Sequence, residues 1–474
     1  MSNLIPTIGI EVHCELKTKN KVFSNTLNTY GEVANTQINE IDLGYPGTLP
    51  KLNKEVINLG IKAALLLNCK INKIMHFDRK NYYYPDLPKG YQITQKMTPI
   101  GYDGYVEINI DDKTKKIYLE EIHIEEDTCK SIHEKDKTYL DFNRAGIPLL
   151  EIVTKPVIEN EKEAVLYLEK LRKILLYANI SDVKIEEGSM RCDLNISMKE
   201  EDSKTLGTKI EIKNIGSISN VASSIIYEKE RQKKLLLENI KLTEETRKYD
   251  EKSQTTVLMR KKENKNDYRY FPEPDIPIIE ITDEYINAIR KELPLLPDEL
   301  REKYKNLNLN DIIINALISN KELNDFFLKL FEEKINLTIS ANIITGDLLG
   351  YLNKNNLNLS DTKLTIENFV KLISKIESKQ ITSKIAKEIL NEILISDSSI
   401  EDIINSKNLK VLDDTDELNR IIDEILLENK SLKDDYLTKE DKTIKYIIGQ
   451  IMKKTNGNAN PIICSTLIKE KLNN

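Results

Sequence analysis

The sequence predicts an α+β protein, β-rich to about residue 290 and helical from there on. Three observations carry that expectation. Short runs at Ile8–Cys14, Val106–Ile110, Ile117–Ile124, Arg191–Ser197 and Lys209–Lys213 alternate apolar and polar residues, the period of a strand with one buried face. Two segments between them, Glu161–Ala178 and Asn220–Leu237, repeat at helical spacing instead. After Pro294 and Pro297, glycine and proline nearly vanish, and Leu, Ile, Asn, Lys and Glu recur in helical periods.

In chain order, the first strand, IGIEVHCEL, puts Glu11, His13 and Glu15 on one face and Ile10, Val12 and Cys14 on the other. The run IHIEEDTCK alternates His123, Glu125 and Asp127 against Ile122 and Ile124, which leaves Glu126 on the apolar side. In the first helix Ala164, Val165, Leu168, Leu171, Ile174, Leu175 and Ala178 form one stripe that needs a core to face. MRCDLNIS sets Arg191, Asp193 and Asn195 against Cys192, Leu194 and Ile196, and TKIEIKN sets Lys209, Glu211 and Lys213 against Ile210 and Ile212. A break near Ser360–Thr365, preceded by an asparagine cluster, divides the helical half. The expected domains are thus 1–290, a helical connector over 291–360 and a helical tail over 361–474.

Bulk composition narrows the function classes. A chain of 474 residues, 40% hydrophobic and 31% charged, has material for two or three globular cores. A net charge of −7, from 70 basic and 77 acidic residues, excludes a general polycation, so any nucleic-acid contact must be a local patch. The five cysteines, Cys14, Cys69, Cys129, Cys192 and Cys464, are scattered without a C-x-x-C pair, against both a disulfide framework and a structural zinc. No basic-then-apolar leader opens the chain and no run approaches the roughly 18 apolar residues of a membrane span, which predicts the cytoplasm.

Any one polar strand face reads more readily as half-exposed sheet with its polar side in water. Four such faces that carry carboxylates and imidazoles on some strands and Lys or Arg on others are chemically matched. Converging on one cavity, the acids would hold a divalent cation and the bases would neutralise phosphoryl charge. There is no G-x-x-x-x-G-K-[ST], no G-x-G-x-x-G and no H-E-x-x-H, so a nucleotide here is not held by a P-loop or a dinucleotide turn. No cysteine or serine sits in a nucleophile motif that would release ammonia from glutamine. His76 and His133 lack clustered partners and are expected to be packing or surface residues.

Seven stretches together carry a resemblance: IGIEVHCELKTKNKVFS, FDRKNYYYPDLPKGYQITQ, HIEEDTCKSIH, LDFNRAGIPLLEIVTKP, SDVKIEEGSMRCDLNIS, MRKKENKNDYRYFPEPD and GQIMKKTNGNANP. Over essentially its whole length the chain resembles the B subunit of the aspartyl/glutamyl-tRNA(Asn/Gln) amidotransferases. The resemblance implies a cradle-like catalytic domain followed by a helical domain and a helical tail that docks tRNA. It implies that ATP and Mg²⁺ serve to phosphorylate the side-chain carboxylate of misacylated Glu-tRNA(Gln) or Asp-tRNA(Asn). Ammonia from a separate amidase, the A subunit, then attacks the acyl phosphate. A small C subunit bridges the two others in a heterotrimer.

Carried over by position, Glu11, His13 and Glu125 match the family's metal and phosphate residues, with Glu126, Asp193 and Glu211 as companions. Arg79, Lys80 and Lys89 fall in the block the family places near ammonia delivery; Arg191, Lys209 and Lys213 supply cations for phosphate. At least two of Tyr82, Tyr83 and Tyr84 are expected to pack rather than to face a terminal adenosine. The tail's Lys453, Lys454, Asn456, Asn458 and Asn460 are the expected tRNA contacts, within a lysine-rich end that also holds Lys442, Lys445, Lys469 and Lys471. Two positions depart from the family pattern. Cys14 replaces a small apolar residue on the core face, and Gly216 in Asn-Ile-Gly-Ser replaces an asparagine, putting a polar role there in doubt. A glutamine-synthetase-like ligase on a free amino acid would need no basic tail, and a tRNA-binding module without activity would not need the matched strand faces.

Overall fold

The alternation read from the sequence becomes the middle of one sheet. The computed structural model describes residues 4–111, 113–261, 267–407, 409, 412, 414–429, 431–455 and 457–473, and the chain divides into units Met1–Pro297 and Asp298–Asn474. Ten strands make the main sheet of the first unit. Its order runs Thr255–Lys261, Glu245–Asp250, Ile210–Lys213, Met190–Glu200, Leu4–Glu15, Pro148–Thr154, Lys113–Glu126, Gly101–Tyr102 and Lys70–Ile71, with Tyr105–Ile110 also paired to Lys113–Glu126. All neighbours are antiparallel except Ile210–Lys213 beside Glu245–Asp250.

Ile8, Ile10, Val12 and Cys14 are at most 1% exposed, while Glu11, His13 and Glu15 on the other face are half-buried. The apolar face is covered by helices Lys54–Leu66, Glu161–Tyr177 and Ile218–Leu237, which contribute Ile61, Ala64, Leu168, Leu171, Val221 and Ile225 to one core. Each fully buried aliphatic side chain there contributes ~1.5–3 kcal/mol. Helix Lys54–Leu66 approaches the sheet at Gly60, where a Cβ would stand 2.7 Å from Ile100 Cδ1, so a larger residue would have to displace that side chain. With one face given to this core, the opposite face of the central strands is left for polar side chains. His76, expected to be without a partner, lies 3.1 Å from Asp78 Oδ1.

Beyond the first strand the chain loops over residues 16–53, and a buried ion pair anchors that loop. Lys21 Nζ, fully buried, donates to Gln37 O at 2.9 Å and to Asp42 Oδ2 at 3.3 Å. Asp42 also accepts Ser24 Oγ at 2.7 Å and Thr26 Oγ1 at 2.6 Å. Charges taken out of water need this degree of satisfaction.

The second unit is helical throughout its described residues. Phe326 of Lys321–Lys329 packs edge-on at 5.3 Å against Phe369 of Ile366–Glu377, across the Ser360–Thr365 break. Helices Thr415–Glu428, Leu432–Lys454 and Pro461–Asn473 enclose a core of their own, with Leu418, Ile422, Ile447, Ile451, Cys464 and Ile468 at 0% exposure. Among the described residues no helix is long and apolar enough to cross a membrane.

Lys21→Ala should strand the Asp42 carboxylate and lower stability by ~3–5 kcal/mol. Chemical denaturation of the full chain reads this, and adding Asp42→Asn should recover part of the loss. A single variant with the wild-type midpoint would show that the pair does not anchor the loop.

Candidate active site

Register assembles the site. Strand Leu4–Glu15 lies between Met190–Glu200 and Pro148–Thr154, which sets Glu11 opposite Asp193, and His13 opposite Arg191 on one side and Glu151 on the other. One strand further out, Glu151 faces His123, and on the other side Asn195 faces Glu211. Cross-strand neighbours on one face stand about 4.5–5.5 Å apart at Cβ, so their polar ends meet.

They meet in two groups. His13, Glu125 and Glu151 each bring a ligand atom within 4.8 Å of the others, and so do Glu11, Asp193 and Glu211. The family motifs group Glu11 with His13 and Glu125; the structure separates it from them and puts Glu151 in its place. His13 Nε2 lies 3.6 Å from Glu125 Oε1 and 3.5 Å from Glu151 Oε2, and His123 Nε2 lies 2.8 Å from Glu151 Oε2. Burial opposes charge on His13, but the hydrogen bond to Glu151 and the charges of Glu151 and Glu125 outweigh it and lift His13 to about 9. Burial opposes charge on Glu151 too, yet His123 and His13 hold its carboxyl well below the usual range. Burial, then the Glu151 charge, pushes Glu125 up.

The second group is tied to a cation. Lys213 Nζ lies 2.7 Å from Asp193 Oδ2 and 3.3 Å from Glu211 Oε1, and Thr246 Oγ1 donates to Glu211 Oε2 at 2.9 Å. Asn195 Nδ2 donates to Glu11 Oε1 at 2.8 Å, while its own buried Oδ1 has no hydrogen-bond partner. These oxygen and imidazole donors suit a hard divalent cation, and the unpartnered Asn195 Oδ1 is a further acceptor beside them.

A cavity of about 580 Å³ is lined by His13, Lys80, Glu125, Arg191, Asp193 and Lys213. A second, of about 450 Å³, shares Arg191 and Ile185 with it and adds Glu15, Tyr30 and Arg144. Arg191 and Arg144 both grip Asp127 Oδ2, at 2.9 and 3.2 Å. Burial, then the charge of Asp127, raises Glu15 to about 7. A third cavity of about 230 Å³ takes Glu11, Asn195 and Lys209, the last standing just before the strand rather than in it.

Alternation sorts the remaining candidates. Lys80 lines the 580 Å³ cavity with its ammonium 5.1 Å from the Tyr268 ring centre. Arg79, its neighbour on strand Asp78–Asn81, is engaged elsewhere, 2.6 Å from Glu273 Oε2 and 3.1 Å from Asp275 Oδ2. Glu126 likewise turns away from Glu125. Its Oε2 lies 2.6 Å from Lys89 Nζ and its Oε1 accepts Ile93 N at 2.9 Å, so neither Glu126 nor Lys89 joins the clusters. Of the three tyrosines only Tyr82 packs, edge-on to Tyr268; Tyr83 is 92% and Tyr84 62% exposed, against the packing expected of at least two. A Cβ at Gly216 would meet Glu251 Oε1 at 2.8 Å, which leaves no room there for the family's asparagine without a shift.

In the second unit Lys454 is held by Glu424 and Glu428 at 3.1 and 3.0 Å. The Asn460 side chain caps the last helix by accepting Ile462 N at 3.0 Å, and Asn458 O accepts Leu412 N at 2.8 Å. Lys453 is exposed, and Asn456 lies outside the described residues.

Glu151 is the residue that the strand patterns and motifs do not single out. Its signal is a lone acid in the apolar run PLLEIVT: a carboxylate on a strand buried on both flanks needs partners, and the two histidines on the neighbouring strands are those partners.

Family models match both halves of the chain. The GatB/GatE catalytic domain matches residues 6–287 and the GatB domain matches 325–472. The chain is 43% identical over 472 residues to the B subunit of the aspartyl/glutamyl-tRNA(Asn/Gln) amidotransferase of Enterococcus faecalis, covering 99% of each chain. It is 44% identical over 471 residues to that of Lactiplantibacillus plantarum, again 99% of each.

Glu151→Gln keeps shape but removes the charge shared by His13 and His123. Affinity for Mn²⁺, measured by titration calorimetry, should fall at least roughly 10-fold while the fold stays intact by circular dichroism. Wild-type Mn²⁺ affinity in the folded variant would remove Glu151 from the metal-holding set.

Proposed function

This chain belongs to the family of B subunits of the aspartyl/glutamyl-tRNA(Asn/Gln) amidotransferases, and from that premise we propose how its residues divide the work. The reaction is tRNA-dependent amidation of a Glu or Asp side-chain carboxylate carried on a mismatched tRNA. A carboxylate oxygen of the aminoacyl group attacks the γ-phosphorus of ATP, the bond to the β–γ bridging oxygen breaks, and ADP leaves. Ammonia then adds to the acyl carbon, loses a proton, and inorganic phosphate departs with the C–O bonding electrons.

The observation that carries this assignment is that both clusters reach one cavity, the first through His13 and Glu125 and the second through Asp193, beside Lys80, Arg191 and Lys213. His13, Glu125 and Glu151 would hold one Mg²⁺, and Glu11, Asp193 and Glu211 a second. Bound there, the cation neutralises phosphate charge and polarises phosphoryl oxygens. Lys213 and Lys80 are placed to neutralise the charge that spreads over the transferring group, each lysine already fixed by its own ion pair or ring contacts. His123 acts through Glu151, fixing the carboxylate that in turn orients His13.

Ammonia has to come from elsewhere. Burial pushes the thiols of Cys14 and Cys69 up to about 12 and those of Cys129 and Cys464 to about 11, so none is a ready thiolate nucleophile. A separate amidase chain, with a small bridging chain, fills that role.

The tail offers a specific RNA contact. On helix Leu432–Lys454, Lys442, Lys445 and Lys453 are exposed and share one side with Tyr446 and Gly449. None of the three lysines has an ion-pair partner among the described residues, whereas Lys454, Lys469 and Lys471 are paired with Glu424, Glu440 and Asp423. We therefore assign the phosphate contacts to Lys442, Lys445 and Lys453 rather than to the Asn458–Asn460 turn.

The purified chain given glutamine alone should release no ammonia. Given ATP, charged tRNA and ammonium, it should form amide, ADP and phosphate in equal amounts by radiolabel assay. Robust glutaminase activity from the single chain would overturn the division of labour. Replacing Lys442, Lys445 and Lys453 by Ala should raise KM for charged tRNA with little change in kcat. It should also reduce the slope of log affinity against log salt by roughly 0.9 per lost phosphate contact. An unchanged salt slope would place the tRNA contact elsewhere.

A further inference from the structure

The 450 Å³ cavity is not used by the phosphoryl chemistry just described, and it is the more acidic of the two neighbours. Five carboxylates and three cations line it, and two of those cations, Arg144 and Arg191, are already committed to Asp127. The Glu15 carboxyl, by contrast, has no hydrogen bond or ion pair among the described residues, Arg191 and Arg144 acting on it only at longer range. The acidic lining disfavours a triphosphate, whereas an incoming ammonium would pair with the Glu15 carboxyl and hold it ionised. The cavity is of small-ligand size, which runs roughly 300–1,000 Å³.

Position adds the decisive constraint. Glu15 and His13 are alternate residues on one face of the same strand, so their backbones are separated by roughly 7 Å along it. That is about the span over which an extended amino acid presents an α-ammonium at one end and a side-chain carboxylate at the other. Arg191, opposite His13, stands at the boundary of both cavities. At the outer wall Tyr30 is 72% exposed, an uncovered aromatic ring of the sort a terminal base stacks on.

We propose that this cavity receives the aminoacyl-adenosine end of the charged tRNA, with Glu15 binding the α-ammonium of the aminoacyl group. Its side-chain carboxylate is thereby directed past Arg191 toward His13 and the metal-holding residues. The inference rests on the amidation reading above and assigns the substrate's orientation within it. Glu15 is a positioning residue: it fixes the end of the amino acid that does not react.

The test compares two substrates in the assembled amidotransferase: Glu-tRNA, and the same tRNA carrying 2-hydroxyglutarate, which keeps the shape but lacks the ammonium. For the native enzyme kcat/KM should drop on the order of 10- to 100-fold with the hydroxy substrate, the range for a hydrogen bond to a charged group. Glu15→Gln should lose a similar factor on Glu-tRNA and show no further drop with the hydroxy analogue, while Glu15→Asp keeps the discrimination. KM for ATP and the melting temperature should stay at native values in both variants. A Glu15→Gln enzyme that still discriminates as the native enzyme does, or one whose main defect is in KM for ATP, overturns the proposal. A native enzyme that amidates Glu-tRNA but ignores the missing ammonium overturns it as well. A native enzyme that amidates neither Glu-tRNA nor Asp-tRNA overturns the functional reading itself, and this proposal with it.

Discussion

The register of the central strand is the constraint from which the site follows. Leu4–Glu15 pairs antiparallel with a strand on each side, and Ile8, Ile10, Val12 and Cys14 are sealed against the helices beneath. A slip of one residue would drive Glu11 and His13 into that core and expose the aliphatic set, a cost of several buried side chains at once. The apolar face therefore fixes the polar one. On that face the observed register sets Glu11 opposite Asp193 and His13 opposite Glu151.

That arrangement concentrates charge where water is scarce, and the protein meets the cost by local pairing. Glu151 takes two imidazoles, Asp193 and Glu211 take Lys213, Asp127 takes two arginines, and Lys89 takes Glu126. Each carboxylate left buried alone would be protonated instead.

Two adjoining cavities suit the proposed two-substrate reaction: the one lined by Lys80 and Lys213 would take phosphates, and the more acidic one beside Glu15 a cationic group. On the reading proposed above, the exposed Lys442, Lys445 and Lys453 would carry RNA affinity through phosphate charge, a contribution that needs no fixed geometry with the reacting atoms.

Periodicity alone determined the strands, the two helices that cover the sheet, and the face on which Glu11, His13, Glu125, Asp193 and Glu211 lie, because hydrophobic burial acts on alternation directly. The family motifs determined the reaction class. Which of those acids come together was not legible, since it depends on strand order: Pro148–Thr154 inserts between the first strand and Lys113–Glu126 and brings in Glu151. Sequence distance says nothing about that insertion. The same holds for Tyr83 and Tyr84, left exposed although their apolar rings read as core, and for Lys454, whose charge is taken up by Glu424 and Glu428 from another helix. Faces are a local property of the chain and can be read from it; partners across strands and helices are set by tertiary packing, because only packing brings distant residues within reach of a hydrogen bond.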